Sequence, residues 1–580
     1  MNVNGKIANL SRDSEIYVEE FKKDGEYFAK IVNSSNAPIN VKEAVVYEKN
    51  ISELGFSKEA MVYCEGYQKL ASTYVKLSDI SENLGSMDKD HYKLPQTKGF
   101  FIGYNYVWFS EKGRVWLLGA SSCRSYTSEI RINQEKLQLV QIIEGREIQA
   151  NASLDIESYV VIEGTDKNRV LEKFASYLIA NHPTIPFREV PDGWCSWYCY
   201  GPKVTQDAIM ENMAVIKRKY PALKYIQIDD GYQPHMGDWL LQTKKFPKKM
   251  KDICLEIRES GCEPAIWVAP FIASEESELL KEHPDWFIKD ENGKPLCTAD
   301  VTFKGWRDAP WYFLDPTHPE AIKYLKHVFS VMKNEWKVDY FKLDANAWGA
   351  LPFGVRFKKD VTSVEAYRMG MKAIWEACGS DTYLLGCNAP MWPSIGAVNG
   401  MRVTADIDRN IGTVKSLASQ CFHRNWMHNR LWINDPDCLV QTDIVTGLKS
   451  KLPFFRNVRR KRSREAMYRY AAAFVRASGG MVLSGDRLCT LNAYDDKIMD
   501  KILSAPRIAA EFNEDYSVGI TDTDSGREYF LFNSSKHPRK FTLSVSGEII
   551  NQFTDEKSFA DGEYIVTVAA NDAAWFAIDK

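Results

Sequence analysis

At 580 residues, 45% of them hydrophobic and 12% aromatic, the chain is too long for one small core and too apolar for a disordered or fibrous protein, so two or three globular domains are expected. Lys and Arg number 74 against 77 Asp and Glu, a formal charge of −3, which argues against nucleic acid or a membrane surface as partner. The start, MNVNGKIANLSRDSEIYVEE, has no basic stretch leading into an apolar one, and no uncharged apolar run is long enough to span a bilayer, so a soluble cytoplasmic protein is expected.

The 12 cysteines run from Cys64 to Cys489 without CxxC pairs, which predicts reduced, mostly buried thiols. Cys195 and Cys199 have the wrong spacing for a zinc ribbon. With 9 His and no HExxH-type cluster, a metal site built by the protein is not expected.

From Ile16 to about Ile162 the chain reads as short alternating or aromatic runs broken by turn residues, among them EIYVEEF, YFAKIVN, GFFIGYNYVWFS, RVWLLGA and KLQLVQIIEG. This pattern predicts a β-sandwich over 1–185. A helix over Lys167 to Ile179 closes it, and Pro183 and Pro186 mark the linker into the next domain. Within it EGYQKLASTY, Glu65 to Tyr74, reads as an ordinary loop, with reach into a neighbouring site as the alternative.

Between 186 and 510 apolar β-rich runs alternate with helical stretches. The strand candidates are DGWCSWY, YIQIDD, EPAIWVAP, DYFKLDA, YLLGC, GMRVTADI, RLWINDPD and GMVLSGD; QDAIMENMAVIKRKY, PEAIKYLKHVFSVMKNEW, SVEAYRMGMKAIWEACG and RSREAMYRYAAAFVRASGG are helical. Strands and helices in this alternation predict a (β/α)8 TIM barrel. After 511 the runs shorten again, YSVGIT, REYFLFNSS, KFTLSVSGEIINQFT, EYIVTVAAND and AAWFAID, and predict a small antiparallel β-domain with a packing role, an oligomer surface being the alternative. The fold class is therefore an α/β multidomain protein with a central barrel between two β-domains.

The polar residues stand where a barrel uses them, at the C-terminal ends of its strands: Trp197, Asp229 with Asp230, Trp267, Asp344, Cys387 with Asn388, Asp406, Asp435 with Asp437, and Asp486. Carboxylates interleaved with aromatics suit a sugar, whose hydroxyls need acceptors and whose C–H face stacks on indole. Glycoside hydrolysis needs two carboxyl groups, a nucleophile or base and a proton donor. Asp344 is the natural nucleophile, because Lys342, two residues before it on a strand, shares its face and would keep it ionised. Asp406 is the proton donor of choice, in a mostly apolar setting expected to raise its pKa, with Asp408 as a rival on spacing. Asp229 and Asp230 read as a binding pair. A lone Asp at any one strand end is more often a loop cap, and several together shift the balance. Trp286, Trp306 and Trp311 read equally as a binding subsite or as core. The basic run Arg456 to Arg464 reads as a solvated loop and helix start, with a subunit contact as the alternative.

QIDDGY (227–232), MGDW (236–239), the run around FKLDAN, LLGCNAPMWPSIGAVNGMRVTADI (384–407) and WINDPDCL (432–439) together resemble glycoside hydrolase family 36, the α-galactosidases. The resemblance covers the whole presumed barrel. It implies a retaining, exo-acting α-galactosidase with Asp344 as nucleophile and Asp406 as acid/base. It also implies that Asp229 and Asp230 clamp the sugar's 4- and 6-hydroxyls, that Lys342, Arg402, Trp197, Trp267, Cys387 and Asp238 line the pocket, and that no metal or organic cofactor is used. Its substrates would be oligosaccharides or glycoconjugates ending in α-galactose. EGYQKL is similar to a family loop that usually ends in a pocket Trp, where this chain has Leu70, so the outer pocket wall is expected to differ there. Asn388 and Ala389 leave an N-acetylgalactosamine substrate open, and a galactosyltransferase of the raffinose-oligosaccharide type is a further alternative. A non-catalytic sugar-binding barrel would be marked by loss of a carboxylate, and both are present.

Overall fold

The computed structural model describes residues 6–7, 15–185, 189–442 and 464–579. Pro186 and all of the basic run but Arg464 lie outside them. Among the described residues no helix is long and apolar enough to cross a membrane.

Two antiparallel-rich sheets form the first part. One has five strands in the order Lys6–Ile7, Ile39–Asn50, Lys136–Ile148, Thr127–Ile132, Phe101–Tyr104; the other, of eight, is built on Glu26–Asn33, Tyr159–Gly164, Arg114–Ala120, Tyr106–Glu111 and Met61–Cys64. The start of Ile39–Asn50 shows why the sequence folds so: Ile39 and Val41 are buried while Asn40 and Lys42 are exposed, one face in and one out. Ile39, Val41, Ile130, Ile132, Leu137 and Leu139 meet Val62, Val107, Phe109 and Leu118 in a core between the sheets. The helix Lys167–Asn181 follows, capped by the Asp166 carboxylate.

All eight predicted barrel strands form. They are β1 (Asp192–Cys195), β2 (Tyr225–Ile228), β3 (Glu263–Val268), β4 (Tyr340–Leu343), β5 (Tyr383–Gly386), β6 (Gly400–Arg402), β7 (Ile433–Asp435) and β8 (Val482–Ser484). Parallel pairing runs from β1 to β7, and β8 pairs with β1. Among the described residues β7 and β8 are joined by a Leu439–Ser484 bridge and the bond from Met481 N to Asn434 O rather than by a strand ladder, so closure there is looser. The predicted helices appear as Gln206–Lys219, Pro319–Asn334, Ser363–Cys378 and Arg464–Ser478, with further ones at Met250–Glu259, Ile411–Arg424 and Ala493–Ser504. Their apolar stripes pack on the barrel, as Leu325, Val328, Phe329 and Met332 do.

After β3 an insertion forms a two-stranded ribbon, Ile272–Ser274 with Trp311–Phe313. Its Trp311 is core rather than subsite: it is fully buried, donates to Arg307 O at 2.8 Å and packs edge-on against Trp306 and Trp348. Trp286 stacks on His283. The last part is a six-stranded antiparallel sheet in the order Glu511–Phe512, Val518–Asp522, Gly526–Asn533, Asp572–Asp579, Arg539–Asn551, Lys557–Val568. It docks on the barrel through the Arg469–Asp572 ion pair at 2.6 Å.

Candidate active site

β4 ends at Leu343, so Asp344 is the first residue beyond the barrel wall, and its backbone turns at Ala345, which holds a left-handed φ of 52°. Such a φ costs a β-carbon-bearing residue energy and is found where surrounding contacts enforce it. The turn aims the Ala345 N–H at Asp344 Oδ1, 2.7 Å away. Asn388 Nδ2 donates to the same oxygen at 2.7 Å, and Trp267 Nε1 to Oδ2 at 3.1 Å. With both oxygens held, the carboxylate has one orientation, set by β3, β4 and the loop after β5.

Lys342 does not provide that hold. Its ammonium bonds to Asp229 Oδ2 at 3.0 Å, so the expected Lys342–Asp344 pairing is corrected to Lys342–Asp229. Burial alone would push the Lys342 proton off, but Asp229 first, then Cys387, Cys195 and Asp344, hold it on. Asp229 also accepts from Gln227 Nε2 at 2.7 Å and lies 3.5 Å from Cys195 Sγ. Asp230, past the end of β2, is free to turn elsewhere and is gripped by Arg307, Nε to Oδ2 at 2.9 Å and Nη2 to Oδ1 at 2.6 Å, and by Gln233 at 2.9 Å. Such a two-pronged grip suits a planar guanidinium. Arg307 comes from the insertion after β3, a contribution the sequence reading missed.

Across the pocket, β6 supplies Arg402, fully buried. Its Nη2 contacts Asp406 Oδ1 at 3.0 Å, the Ala405 carbonyl at 2.9 Å and Tyr198 Oη at 3.2 Å, and it also pairs with Asp437. The Asp406 side chain is 59% exposed toward the pocket. The expected apolar setting for it is overturned. Enclosure by protein does push its pKa up, but Lys69, Arg402 and Lys342 outweigh that and hold the carboxyl at about 2. In the ligand-free protein Asp406 is a carboxylate. The rival Asp408 turns its carboxyl to Thr413 and the Asn410 N–H instead.

Lys69 is the second residue the sequence reading missed. The Glu65–Tyr74 stretch is not an ordinary loop: its 3₁₀ turn Lys69–Ala71 carries an ammonium, 1% exposed, to 3.5 Å from Asp406 Oδ1 and 3.5 Å from Cys387 Sγ. The barrel is therefore met at this point by Lys69. Cys387, after β5, has its thiol pushed up to about 12 by burial and by Asp344, against Lys69, Lys342 and Arg402, and stays neutral. Trp197 opens the short helix after β1 and is half-buried. The Asp238 carboxylate lies at the start of the helix Glu278–Glu282, accepting from Glu278 N at 3.2 Å and Leu279 N at 3.4 Å.

The loop bearing Lys69 is anchored by an ion pair between Glu65 and Arg424, both wholly buried, with Arg424 Nε 3.0 Å from Glu65 Oε2 and Arg424 Nη1 2.8 Å from the Lys69 carbonyl. Removing one partner strands the other charge, so Arg424→Met should cost about 3–5 kcal/mol. Thermal melts check this: the single variant falls well below wild type, and Glu65→Leu added to it recovers part of the loss. A melt of Arg424→Met at the wild-type temperature would show the pair to be inert.

The site thus holds two carboxylates of opposite environment, Asp344 fixed by neutral donors and Asp406 by cations. This set can attack and protonate across a glycosidic bond. Among the described residues no cluster of three His, Cys, Asp or Glu side chains is placed to hold a metal.

A melibiase family model matches residues 217–381. The chain is 27% identical over 210 residues to the A type blood alpha-D-galactosamine galactosaminidase of Flavonifractor plautii, a match covering 34% of this chain and 19% of that protein. It is 29% identical over 126 residues to an Escherichia coli alpha-galactosidase, covering 20% and 16%. These matches therefore span about a fifth or less of the curated relatives. In fold it is similar to the GH36 alpha-galactosidase AgaA of Geobacillus stearothermophilus, solved as a double variant with raffinose, at a TM-score of 0.65 and 12% identity over 97% of this chain and 81% of that one. In its melibiase segment, its curated relatives and the barrel set between two β-domains, the chain is similar to the α-galactosidases of glycoside hydrolase family 36.

Proposed function

We propose that the protein is a retaining, exo-acting α-galactosidase that removes terminal α-linked galactose from oligosaccharides or glycoconjugates. The observation that carries this is the orientation of Asp344, held by Ala345 N–H, Asn388 and Trp267 at the end of β4 while Asp406 stands across from it among cations. Asp344 attacks the anomeric carbon from the face opposite the leaving group, forming a β-galactosyl ester, while Asp406 gives its proton to the departing oxygen. Asp406 then takes a proton from water, which attacks the same carbon and frees Asp344, and the product keeps the α configuration. This requires carboxyl groups roughly 5–5.5 Å apart.

The low pKa of Asp406 in the empty pocket fits the second half-reaction, where it must be a base. Ester formation removes the charge of Asp344, and losing a neighbouring negative charge lowers the Asp406 pKa further. For the first half-reaction Asp406 must carry a proton, which a bound neutral sugar favours by displacing water from around it. Asp229, Asp230, Lys342, Arg402, Trp197, Trp267 and Cys387 are assigned to sugar binding in this reading. The twelve cysteines are all unpaired, which supports a reducing, cytoplasmic setting. The division 1–185, 186–510 and 511–580 is the working domain assignment.

NMR of the first-formed sugar from an aryl α-galactoside tests the reading, with α-galactose expected before mutarotation. First release of the β anomer would overturn it. The galactosaminidase relative makes aryl α-N-acetylgalactosaminide the comparison substrate, and raffinose at high acceptor concentration separates hydrolysis from galactosyl transfer.

A further inference from the structure

We infer that Lys69, delivered by the N-terminal β-sandwich, is a positioning residue for Asp406, orienting its carboxylate and favouring its action as a base. The inference rests on the roles just proposed for Asp344 and Asp406. Its own basis is geometric. Lys69 is separated from Asp406 by 337 positions in sequence, yet its ammonium is 3.5 Å from Oδ1 and almost wholly enclosed.

The loop leaves Lys69 little freedom. Gln68 bonds to Asp88 at 3.0 Å and pairs as a β-bridge with Pro390 in the loop after β5, and Met391 N donates to the Tyr67 carbonyl at 2.8 Å. Arg424 holds the Lys69 carbonyl from the barrel side. These ties fix the backbone on both sides of Lys69, so the ammonium is presented to the pocket at a set place rather than sampled from solvent. Preorganised charge of this kind acts on a reacting group without reorganisation at the moment of reaction. Lys69 has a thiol, Cys387, as its other close contact there, and a neutral thiol leaves the ammonium's charge directed at Asp406.

Other groups face Asp406 as well. Arg402 from β6 and Lys342 from β4 add positive charge, Asp437 after β7 adds negative charge, and Tyr92 and Tyr198 bring phenols held neutral by burial. Arg402 is shared with Asp437 and Lys342 is bonded to Asp229, so each already has a closer carboxylate. Lys69 is the cation whose only ion pair among the described residues is with Asp406.

Removing the Lys69 charge raises the Asp406 pKa, and both kinetic limbs that depend on it move in one direction. With a good leaving group, hydrolysis of the galactosyl ester limits kcat and needs Asp406 ionised. With a poor leaving group, formation of the ester limits kcat and needs it protonated in the sugar-bound enzyme. Lys69→Met should therefore shift the acid limb of the first profile and the alkaline limb of the second to higher pH, each by about one unit, a shift kept below the bare Coulomb value because Asp406 is open to water. Lys69→Arg should return both toward wild type. A loss of rate with both limbs unmoved would assign Lys69 a purely structural part and overturn the inference.

A second readout needs no substrate. In protein carrying ¹³C-labelled Asp carboxyls, the resonance absent from Asp406→Asn reports the titration of Asp406 directly. In wild type it stays ionised down to about pH 4, and in Lys69→Met it begins to titrate above that. Identical curves overturn the inference, whereas a wild-type enzyme inactive on α-galactosides overturns the assigned reaction and leaves this measurement standing.

Discussion

Asp344→Ala should lower kcat/KM on an aryl α-galactoside by about 10⁴-fold or more, equivalent to roughly 5.5 kcal/mol of lost transition-state stabilisation. In the proposed reaction the carboxylate forms the covalent bond, and the groups that touch it, Trp267, Asn388 and the Ala345 N–H, are donors that cannot replace it. Sugar binding should persist, since the ion pairs Lys342–Asp229, Arg307–Asp230 and Arg402–Asp437 form independently of Asp344. Azide makes the test stereochemical. In the cavity left by Asp344→Ala, azide would attack from the face the carboxylate used and give β-galactosyl azide. An Asp344→Ala enzyme within tenfold of wild type would remove Asp344 from the chemistry.

Asp406→Ala should instead divide substrates by their leaving groups. An aryl group with an acidic phenol departs without help, so the first step should fall less than about tenfold. An alkyl galactoside or raffinose should lose about 10²–10⁴-fold, the range supplied by a positioned proton donor. The galactosyl ester then accumulates because no base activates water, and KM falls with kcat. Azide, needing no base, would attack that ester from the face opposite Asp344 and give α-galactosyl azide. The two variants therefore yield opposite anomers of one product, a result no folding defect can mimic. Equal losses on both substrate classes would reassign the proton donor.

The barrel was legible because its signals are local. β-Branched and aromatic runs such as YIQI and YFKL ending in polar residues appear as β2 and β4, each followed by its Asp. The helix over Lys167–Asn181 was read two residues short, within the usual fraying of a last turn. Asp344 and Asp406 were singled out from strand-end position together with their sequence neighbours and the resemblance of the surrounding motifs. The partner of Lys342 was not: two residues on one strand share a face, but in the barrel Lys342 reaches Asp229 on another strand, 113 residues away in sequence.

Arg307 and Lys69 were missed for a related reason. Each lies in a stretch without regular periodicity, one in the insertion after β3 and one in a single 3₁₀ turn, so nothing in spacing tells where either side chain ends. EGYQKL did stand out, but attention fell on Leu70, the position of an expected aromatic, rather than on the charge beside it. The partners of Asp238 in MGDW were not legible either, since its oxygens rest on the N–H groups of 278 and 279, some forty residues on.

Alternation, β-propensity and strand-end chemistry are short-range properties, and from them follow the β-sandwich, the eight barrel strands and the choice of Asp344 and Asp406 as candidate carboxylates. The charge state of Asp406 is a different kind of property. An apolar neighbourhood in sequence argued for a raised pKa; packing the β-sandwich against the barrel added the Lys69 ammonium to Arg402 and Lys342, and the three together hold it at about 2. Electrostatic energy depends on distance in space, and distances between groups hundreds of residues apart exist only once the domains have docked.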